Sequence, residues 1–66
     1  MFGVRLKELR TKQHWTIEEV AEKIGVGRST YAGYETEDRK PPIQNLIKLS
    51  ELFDVSVDYI LGLTDE

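Results

Sequence analysis

The side chains best suited to directed hydrogen bonding from one surface lie in GVGRSTYAGYE, residues 25–35. On a helix that begins at Arg28, at about 100° per residue, Tyr31 and Tyr34 fall opposite a strip of small and short polar residues. The tyrosines are therefore expected in the core and the strip at the surface. A guanidinium at the head of the strip can donate two parallel hydrogen bonds to a planar edge such as that of guanine. The strip consists of Arg28, Ser29, Ala32, Gly33 and Thr36.

Catalytic or metal chemistry is not expected. His14 is the only histidine and there is no cysteine, so the chain has no nucleophile–base pair and no thiolate or imidazole metal cage. The acidic pair Glu18–Glu19 is placed at the start of a predicted helix, where negative charge complements the helix dipole. We therefore expect a binding protein without a metal or cofactor, not an enzyme.

Length and hydropathy predict one domain, residues 1–66, and a cytoplasmic location. No apolar run follows the first residues, and the segment VSVDYILGL is too short and too polar, with Asp58, to cross a bilayer. Neither a membrane nor a small-molecule ligand is an expected partner.

The net charge of −3 is unfavourable for nucleic acid, but it is unevenly distributed. Residues 1–31 hold six basic and four acidic side chains, a net of +2, whereas residues 32–66 hold three basic and eight acidic ones, a net of −5. One positive face is still possible in such a dipolar chain.

Apolar periodicity and helix caps predict an all-α fold of five helices. The first spans residues 2–13 and stops at a left-handed His14. A capping box, Thr16 to Glu19, opens the second, and Gly25 ends it. The third runs from Arg28 to about Thr36.

The fourth helix follows the proline pair and has an apolar stripe, and the fifth is short. Pro42 can open the fourth helix, Ser56 caps the fifth and Gly62 stops it. The predicted stripe of the fourth helix is Ile43, Leu46, Leu49 (or Ile47), Leu52 and Phe53.

Two short helices joined at Gly25 form a predicted helix-turn-helix. Around this unit the chain resembles the phage-repressor and Cro family (Xre-like) of helix-turn-helix regulators. The resemblance is carried by RLKELR, T-x-EEVAEKIGV, RSTYAGYE, RKP and NLIKLSELFDVSVDYILG, and it covers Gly3 to Glu66. It implies a compact five-helix, lambda-repressor-like bundle that binds double-stranded DNA, usually as a dimer on a palindromic operator and usually as a repressor.

The resemblance also implies residue roles. Arg28 and Ser29 take the base-reading positions, with Gly33 at a further reading position and Ala32 beside it. Arg10 and Glu35 match an internal ion pair, which is structural. The expected phosphate contacts are Thr16, the backbone amide of Ile17, Arg39 and Lys40. Apart from the resemblance, Thr30 is expected to contact phosphate or its own helical turn.

Three departures from the family pattern concern the DNA contacts. Ile17 replaces a frequent phosphate-clamping glutamine, and Gly27 replaces a side-chain cap at a cost of a few tenths of a kcal/mol. Glu37 and Asp38 place negative charge beside a loop expected to face phosphate.

Gly33 lowers helix propensity by about 1 kcal/mol relative to alanine. Our hypothesis at this point is that its missing side chain leaves a bare strip of backbone, which allows the third helix to sit deeper in the groove. Two copies about 34 Å apart would double the readout. The candidate dimer contacts are Tyr59, Leu61 and Leu63.

Two alternatives remain open from the sequence. The first is a helix-turn-helix module with weakened DNA binding that binds another protein, which the acidity, Ile17 and Gly33 favour. The second is an antitoxin that binds DNA and also holds a toxin.

Overall fold

Five α-helices form the regular secondary structure of residues 1–65, the part of the protein that the computed structural model describes. No strand occurs in this range, which confirms the all-α prediction. The helices are α1 (Phe2–Lys12), α2 (Ile17–Ile24), α3 (Arg28–Thr36), α4 (Ile43–Phe53) and α5 (Val57–Leu61).

The helix ends follow the predicted caps. His14 adopts φ 62°, in the left-handed region, and α1 ends at Lys12, one residue before the predicted end. Gly25 and Gly62 close α2 and α5 with φ of 76° and 81°, and the Ser56 hydroxyl accepts a hydrogen bond from the Tyr59 amide. Local cap chemistry therefore sets the lengths of these helices.

Every helix contributes to one core. The inward direction predicted for the tyrosines of α3 is confirmed, since Tyr31 and Tyr34 are among the largest fully enclosed or nearly enclosed side chains. The buried hydrophobic residues are Leu6, Val20, Ala21, Ile24, Tyr31, Tyr34, Leu49, Phe53 and Ile60.

The predicted stripe of α4 is partly wrong. Leu49 and Phe53 are buried, but Ile43 is 73% exposed and Ile47 is 47% exposed. At about 100° per residue, Ile43 lies roughly 120° around the helix from Leu49, outside the face that meets the core. Its apolar type alone suggested a place in the stripe.

Gly3 sets the crossing of α1 over α3. A Cβ added at Gly3 would overlap the carbonyl oxygen of Glu35, so the backbones of the two helices approach too closely for any other residue. This crossing fixes the position of α3, and no local pattern in the sequence indicates it.

Candidate nucleic-acid interface

The start of α2 is held by the predicted capping box. The Thr16 hydroxyl accepts a hydrogen bond from the Glu19 amide at 3.1 Å, and the Thr16 amide donates to the Glu19 carboxylate at 2.8 Å. Thr16 is exposed, and its hydroxyl proton is still available to a phosphate oxygen. Ile17 packs its side chain against the core, so only its backbone amide can serve a phosphate.

The turn between α2 and α3 is built on two glycines. Gly25 takes the left-handed conformation, and Val26 donates to the Ala21 carbonyl at 2.9 Å. Gly27 precedes α3 and offers no capping side chain, while its carbonyl accepts from the Tyr31 amide at 3.1 Å. The first turn of α3 therefore has no side-chain cap on its backbone amides.

The inner face of α3 is locked to the rest of the domain. The Tyr34 hydroxyl accepts a hydrogen bond from Asn45 of α4 at 3.1 Å, and the rings of Tyr31 and Tyr34 meet edge to face at 6.2 Å. These contacts fix the rotation of α3 about its own axis. They therefore also fix which residues face outward.

Arg10 and Glu35 form an ion pair between α1 and α3. Arg10 Nε and Nη2 donate to the two carboxylate oxygens of Glu35 at 2.6 and 3.1 Å, and Nη1 donates to the carbonyl of Trp15 at 2.9 Å. The hydrogen bond with Glu35 raises the pKa of Arg10. Both side chains are largely buried, so the pair ties the helix-turn-helix to α1 and has a structural role.

The Tyr31 hydroxyl is buried near this ion pair without a hydrogen-bond partner of acceptable geometry among residues 1–65. Burial, and then the neighbouring Glu35 carboxylate, raise the pKa of Tyr31 far above its ordinary value of 10.0. The side chain is therefore a neutral packing residue over the whole physiological range of pH.

The predicted base readers come together on the outer face of α3. Arg28 and Ser29 are exposed and Ala32 is half-buried, and all three line one shallow surface depression. No carboxylate within residues 1–65 pairs with Arg28. The remaining lining residues are Gly33, Thr36, Asp38 and Arg39.

The hypothesis of a bare backbone strip at Gly33 is wrong for this structure. Gly33 is buried, because the aliphatic part of the Arg39 side chain lies over it. A Cβ added at Gly33 would stand 2.8 Å from Cδ and 2.9 Å from Cγ of Arg39. The glycine makes room for an arginine and does not leave the helix surface uncovered.

The loop after α3 carries two exposed cations. Arg39 and Lys40 form no ion pair with the residues that the structure describes. Asp38 accepts a hydrogen bond from the Thr36 hydroxyl at 2.9 Å and lines the same depression as Arg28. Thr30 is half-buried in the first turn of α3, about 60° around the helix from Gly33.

Glu37 carries its charge away from the DNA-facing side that the sequence suggested. It has φ 67° and accepts hydrogen bonds from the N-terminal ammonium of Met1 and, at 3.1 Å, from the Gly3 amide. The ammonium and then the Gly3 amide lower the pKa of Glu37. Only Asp38 of the two acidic loop residues lines the depression on the outer face of α3.

The candidate dimer residues differ in exposure and in their contacts within the chain. Leu63 is 72% exposed and Leu61 is 37% exposed, but the Tyr59 ring stacks under the Arg5 guanidinium at 4.2 Å. Arg5 also donates to the carbonyls of Tyr59 and Thr64 at 3.1 and 3.0 Å. This clasp of α5 by α1 joins residues more than 50 positions apart, and no local pattern in the sequence indicated it.

The described residues, 1–65, also bear on metal and membrane binding. No group of three or more His, Cys, Asp or Glu side chains there is placed to hold a metal ion. None of the helices formed by these residues is long and apolar enough to cross a membrane.

Comparison with known proteins gives a consistent result. A family model described as helix-turn-helix matches residues 6–60. The chain is 54% identical over 66 residues to the uncharacterized HTH-type transcriptional regulator YobD of Bacillus subtilis, and the match covers all of this chain and 59% of that protein. The chain spans about half the length of the curated relatives it matches.

Two solved structures share the fold at 39% sequence identity. The N-terminal DNA binding domain of SinR from Bacillus subtilis has a TM-score of 0.84, over 92% of this chain and 90% of that one. The crystal structure of SinR, the master regulator for biofilm formation, in complex with DNA has a TM-score of 0.83, over 92% of this chain and 98% of that one. By its sequence, its five helices and the turn at Gly25, the chain belongs to the helix-turn-helix family.

Proposed function

We propose that residues 1–66 form a single DNA-binding domain of a transcriptional regulator, most simply a repressor, which places α3 in the major groove of double-stranded DNA. The main support for this proposal is the difference between the two faces of α3. Tyr34 and Glu35 hold the inner face to the rest of the domain, whereas Arg28 on the outer face has no ion pair among residues 1–65. The similarity to a SinR structure in complex with DNA supports this use of the fold.

Within this proposal, the readers act at the N-terminal half of α3. Arg28 donates two hydrogen bonds to O6 and N7 of a guanine, worth about 1–3 kcal/mol of discrimination against other bases. Ser29 hydrogen-bonds a neighbouring base or phosphate, and Ala32 contacts a thymine methyl group. Gly33 contributes to the same surface through the side chain that it accommodates.

The groups around the readers hold the phosphate backbone. Thr16 donates from its hydroxyl and Ile17 from its amide at the start of α2, and Thr30 donates from the first turn of α3. Arg39 and Lys40 bring positive charge to the DNA from the loop after α3. These contacts fix the register of α3 on the duplex.

Two copies of the domain would bind a palindromic operator, with equivalent half-sites about 34 Å apart. The dimer contact includes Leu61 and Leu63, the exposed apolar residues that follow Ile60, and the outer edge of Tyr59. Cytoplasmic, nucleoid-associated localisation follows from this function, with no membrane or small-molecule partner.

The test is duplex binding as a function of salt and sequence. DNA sequences are first selected in vitro, and binding to the best one is compared with binding to random DNA. Each phosphate that the protein neutralises contributes about −0.9 to the slope of log K against log salt, so we expect a slope of several negative units. Binding that is absent or insensitive to salt would contradict the proposal.

Arg28→Ala and Lys40→Ala distinguish base recognition from sequence-independent attraction to phosphate. Arg28→Ala should erase the preference at one base position, a loss of roughly 5- to 150-fold on the selected site and less on random DNA. Lys40→Ala should weaken both duplexes alike and reduce the salt slope by about 1. Equal losses on both duplexes for Arg28→Ala would remove Arg28 as a reader.

A specific observation favours the protein-binding alternative. Ile43 and Ile47 stand four residues apart on the outer face of α4, both exposed, and Asp38 places negative charge on the outer face of α3. If the domain binds a protein and not DNA, Ile43→Ser should abolish binding of the partner, and the affinity for a duplex should not depend on salt. In a DNA-binding domain the same substitution leaves operator affinity unchanged.

A further inference from the structure

The side chain of Arg39 lies along the outer surface of α3 although Arg39 belongs to the loop that follows it. The virtual Cβ of Gly33 is 2.8, 2.9 and 3.3 Å from Cδ, Cγ and Cβ of Arg39. Most of the aliphatic stem therefore occupies the volume that a side chain at position 33 would fill. Gly33 acts as a seat for this stem.

Hydrogen bonds around the last turn of α3 hold Arg39 at its seat. The Arg39 amide donates to the Gly33 carbonyl at 3.1 Å, and the Thr36 hydroxyl donates to the same carbonyl at 3.2 Å. Asp38 also accepts from that hydroxyl and folds the loop back on the helix. The direction in which Arg39 leaves the backbone is thus fixed before any ligand binds.

The seated Arg39 shares a surface with the proposed readers. It lines the same depression as Arg28, Ser29 and Ala32, and its guanidinium has no carboxylate within ion-pair distance among residues 1–65. Gly33 is five residues beyond Arg28, about 7.5 Å along the helix axis and about 140° around it. Two guanidinium groups without an ion pair among residues 1–65 therefore belong to side chains that line one depression.

Asp38 indicates what the seated Arg39 would bind. A carboxylate in the depression repels a phosphate but tolerates a neutral base edge, and it can accept a hydrogen bond from a cytosine amino group. A flexible cationic side chain is sufficient for a phosphate contact. Two hydrogen bonds to guanine, in contrast, need a planar guanidinium in a fixed orientation.

We infer that Arg39 is a second specificity-determining residue, which reads a guanine at a base pair other than the one read by Arg28, and that Gly33 is required to seat it. This inference rests on the proposed function, and it moves Arg39 from the phosphate contacts to the base contacts.

The test uses the in vitro selected duplex and a panel in which each base pair is replaced in turn. Arg39→Ala should erase discrimination at one base pair, by roughly 5- to 150-fold, distinct from the pair affected by Arg28→Ala. Arg39→Lys should keep the salt slope and still lose that discrimination. Equal weakening of every duplex by Arg39→Ala, with recovery in Arg39→Lys, would overturn the inference in favour of a phosphate contact.

Gly33→Ala tests the seat. Its methyl group should displace Arg39, so discrimination should fall at the same base pair and should not fall further when Arg39→Ala is already present. Gly27→Ala is the matched control, because it adds a methyl group to the same helix-turn-helix where the nearest atom, Oγ1 of Thr30, is 4.0 Å away. Independent, additive effects of Gly33→Ala and Arg39→Ala would contradict the seat.

Two readouts separate the possible failures. Thermal unfolding by circular dichroism checks that each variant is folded at the temperature of the binding assay. If Arg28→Ala loses its base preference and the Arg39 variants lose none, this inference fails and the proposed function stands. If the unchanged protein binds no duplex in a salt-dependent way, both fail together.

Discussion

The inner and outer faces of α3 show opposite ways of using polar groups. On the inner face, Glu35 takes two hydrogen bonds from Arg10, and the Tyr34 hydroxyl accepts from Asn45. On the outer face, the Arg28 guanidinium has no ion pair with the described part of the chain. One helix thus keeps its stabilising contacts and its binding groups on separate sides. Substitutions on the two faces should therefore affect different measurements.

The largest expected difference is in stability, between Tyr34→Ala and Ser29→Ala. Truncating a buried aromatic side chain costs about 3–5 kcal/mol, which approaches the roughly 3–10 kcal/mol expected for a whole domain of this length. Ser29 is exposed, so its truncation should change stability by less than about 0.5 kcal/mol. Urea unfolding followed by circular dichroism measures both. Similar losses for the two variants would show that residues of the outer face also stabilise the fold.

The next comparison is between two arginines. Arg10→Ala leaves the Glu35 carboxylate largely buried without its partner, and we expect a loss of about 2–3 kcal/mol. Arg28→Ala should leave the free energy of unfolding within about 0.5 kcal/mol of the unchanged protein. The double variant Arg10→Met, Glu35→Met removes both charges, so it should be more stable than Arg10→Ala. A loss in the double variant equal to the sum of the single losses would argue against coupling between these side chains.

The elements on which this comparison depends were partly readable from the sequence. The caps at Thr16, Gly25 and Ser56 are local signals, because each hydrogen bond spans three or four residues, and they gave the helix ends closely. The direction of the α3 tyrosines follows from helical periodicity alone. The Arg10–Glu35 pair came from the family resemblance, since nothing local links positions 25 residues apart.

The features that the sequence analysis missed depend on the path of the chain in space. Arg39 reaches Gly33 only because Glu37 turns left-handed and because Thr36 and Asp38 fold the loop back. Arg5 clasps Tyr59 across 54 positions, so no periodic pattern could indicate it. Glycine at a reading position fits either an open backbone or a seat for another side chain, and only the packing around it distinguishes the two.

The smallest expected effect, with the opposite sign, concerns Tyr31 on the inner face. Its hydroxyl is buried without a hydrogen-bond partner among residues 1–65, so removing it removes a desolvation cost. Tyr31→Phe should therefore raise the free energy of unfolding at pH 7 by about 1 kcal/mol. Urea unfolding measures the change, and a loss of stability would mean that the hydroxyl contributes a hydrogen bond to the folded protein.

Alkaline pH gives a second measurement on the same pair of proteins. Burial raises the pKa of Tyr31 above its ordinary value of 10.0, so above about pH 10 the unfolded chain loses this proton while the folded domain keeps it. The raised pKa therefore leaves the free energy of unfolding unaffected below about pH 10 and lowers it above that pH, by up to about 1.4 kcal/mol per pH unit. Tyr31→Phe has no hydroxyl to ionise at this position and escapes that decline, while Tyr34 and Tyr59 are common to both proteins. The advantage of the variant in urea unfolding should therefore widen between pH 10 and 11, and parallel declines would place the Tyr31 hydroxyl in contact with water.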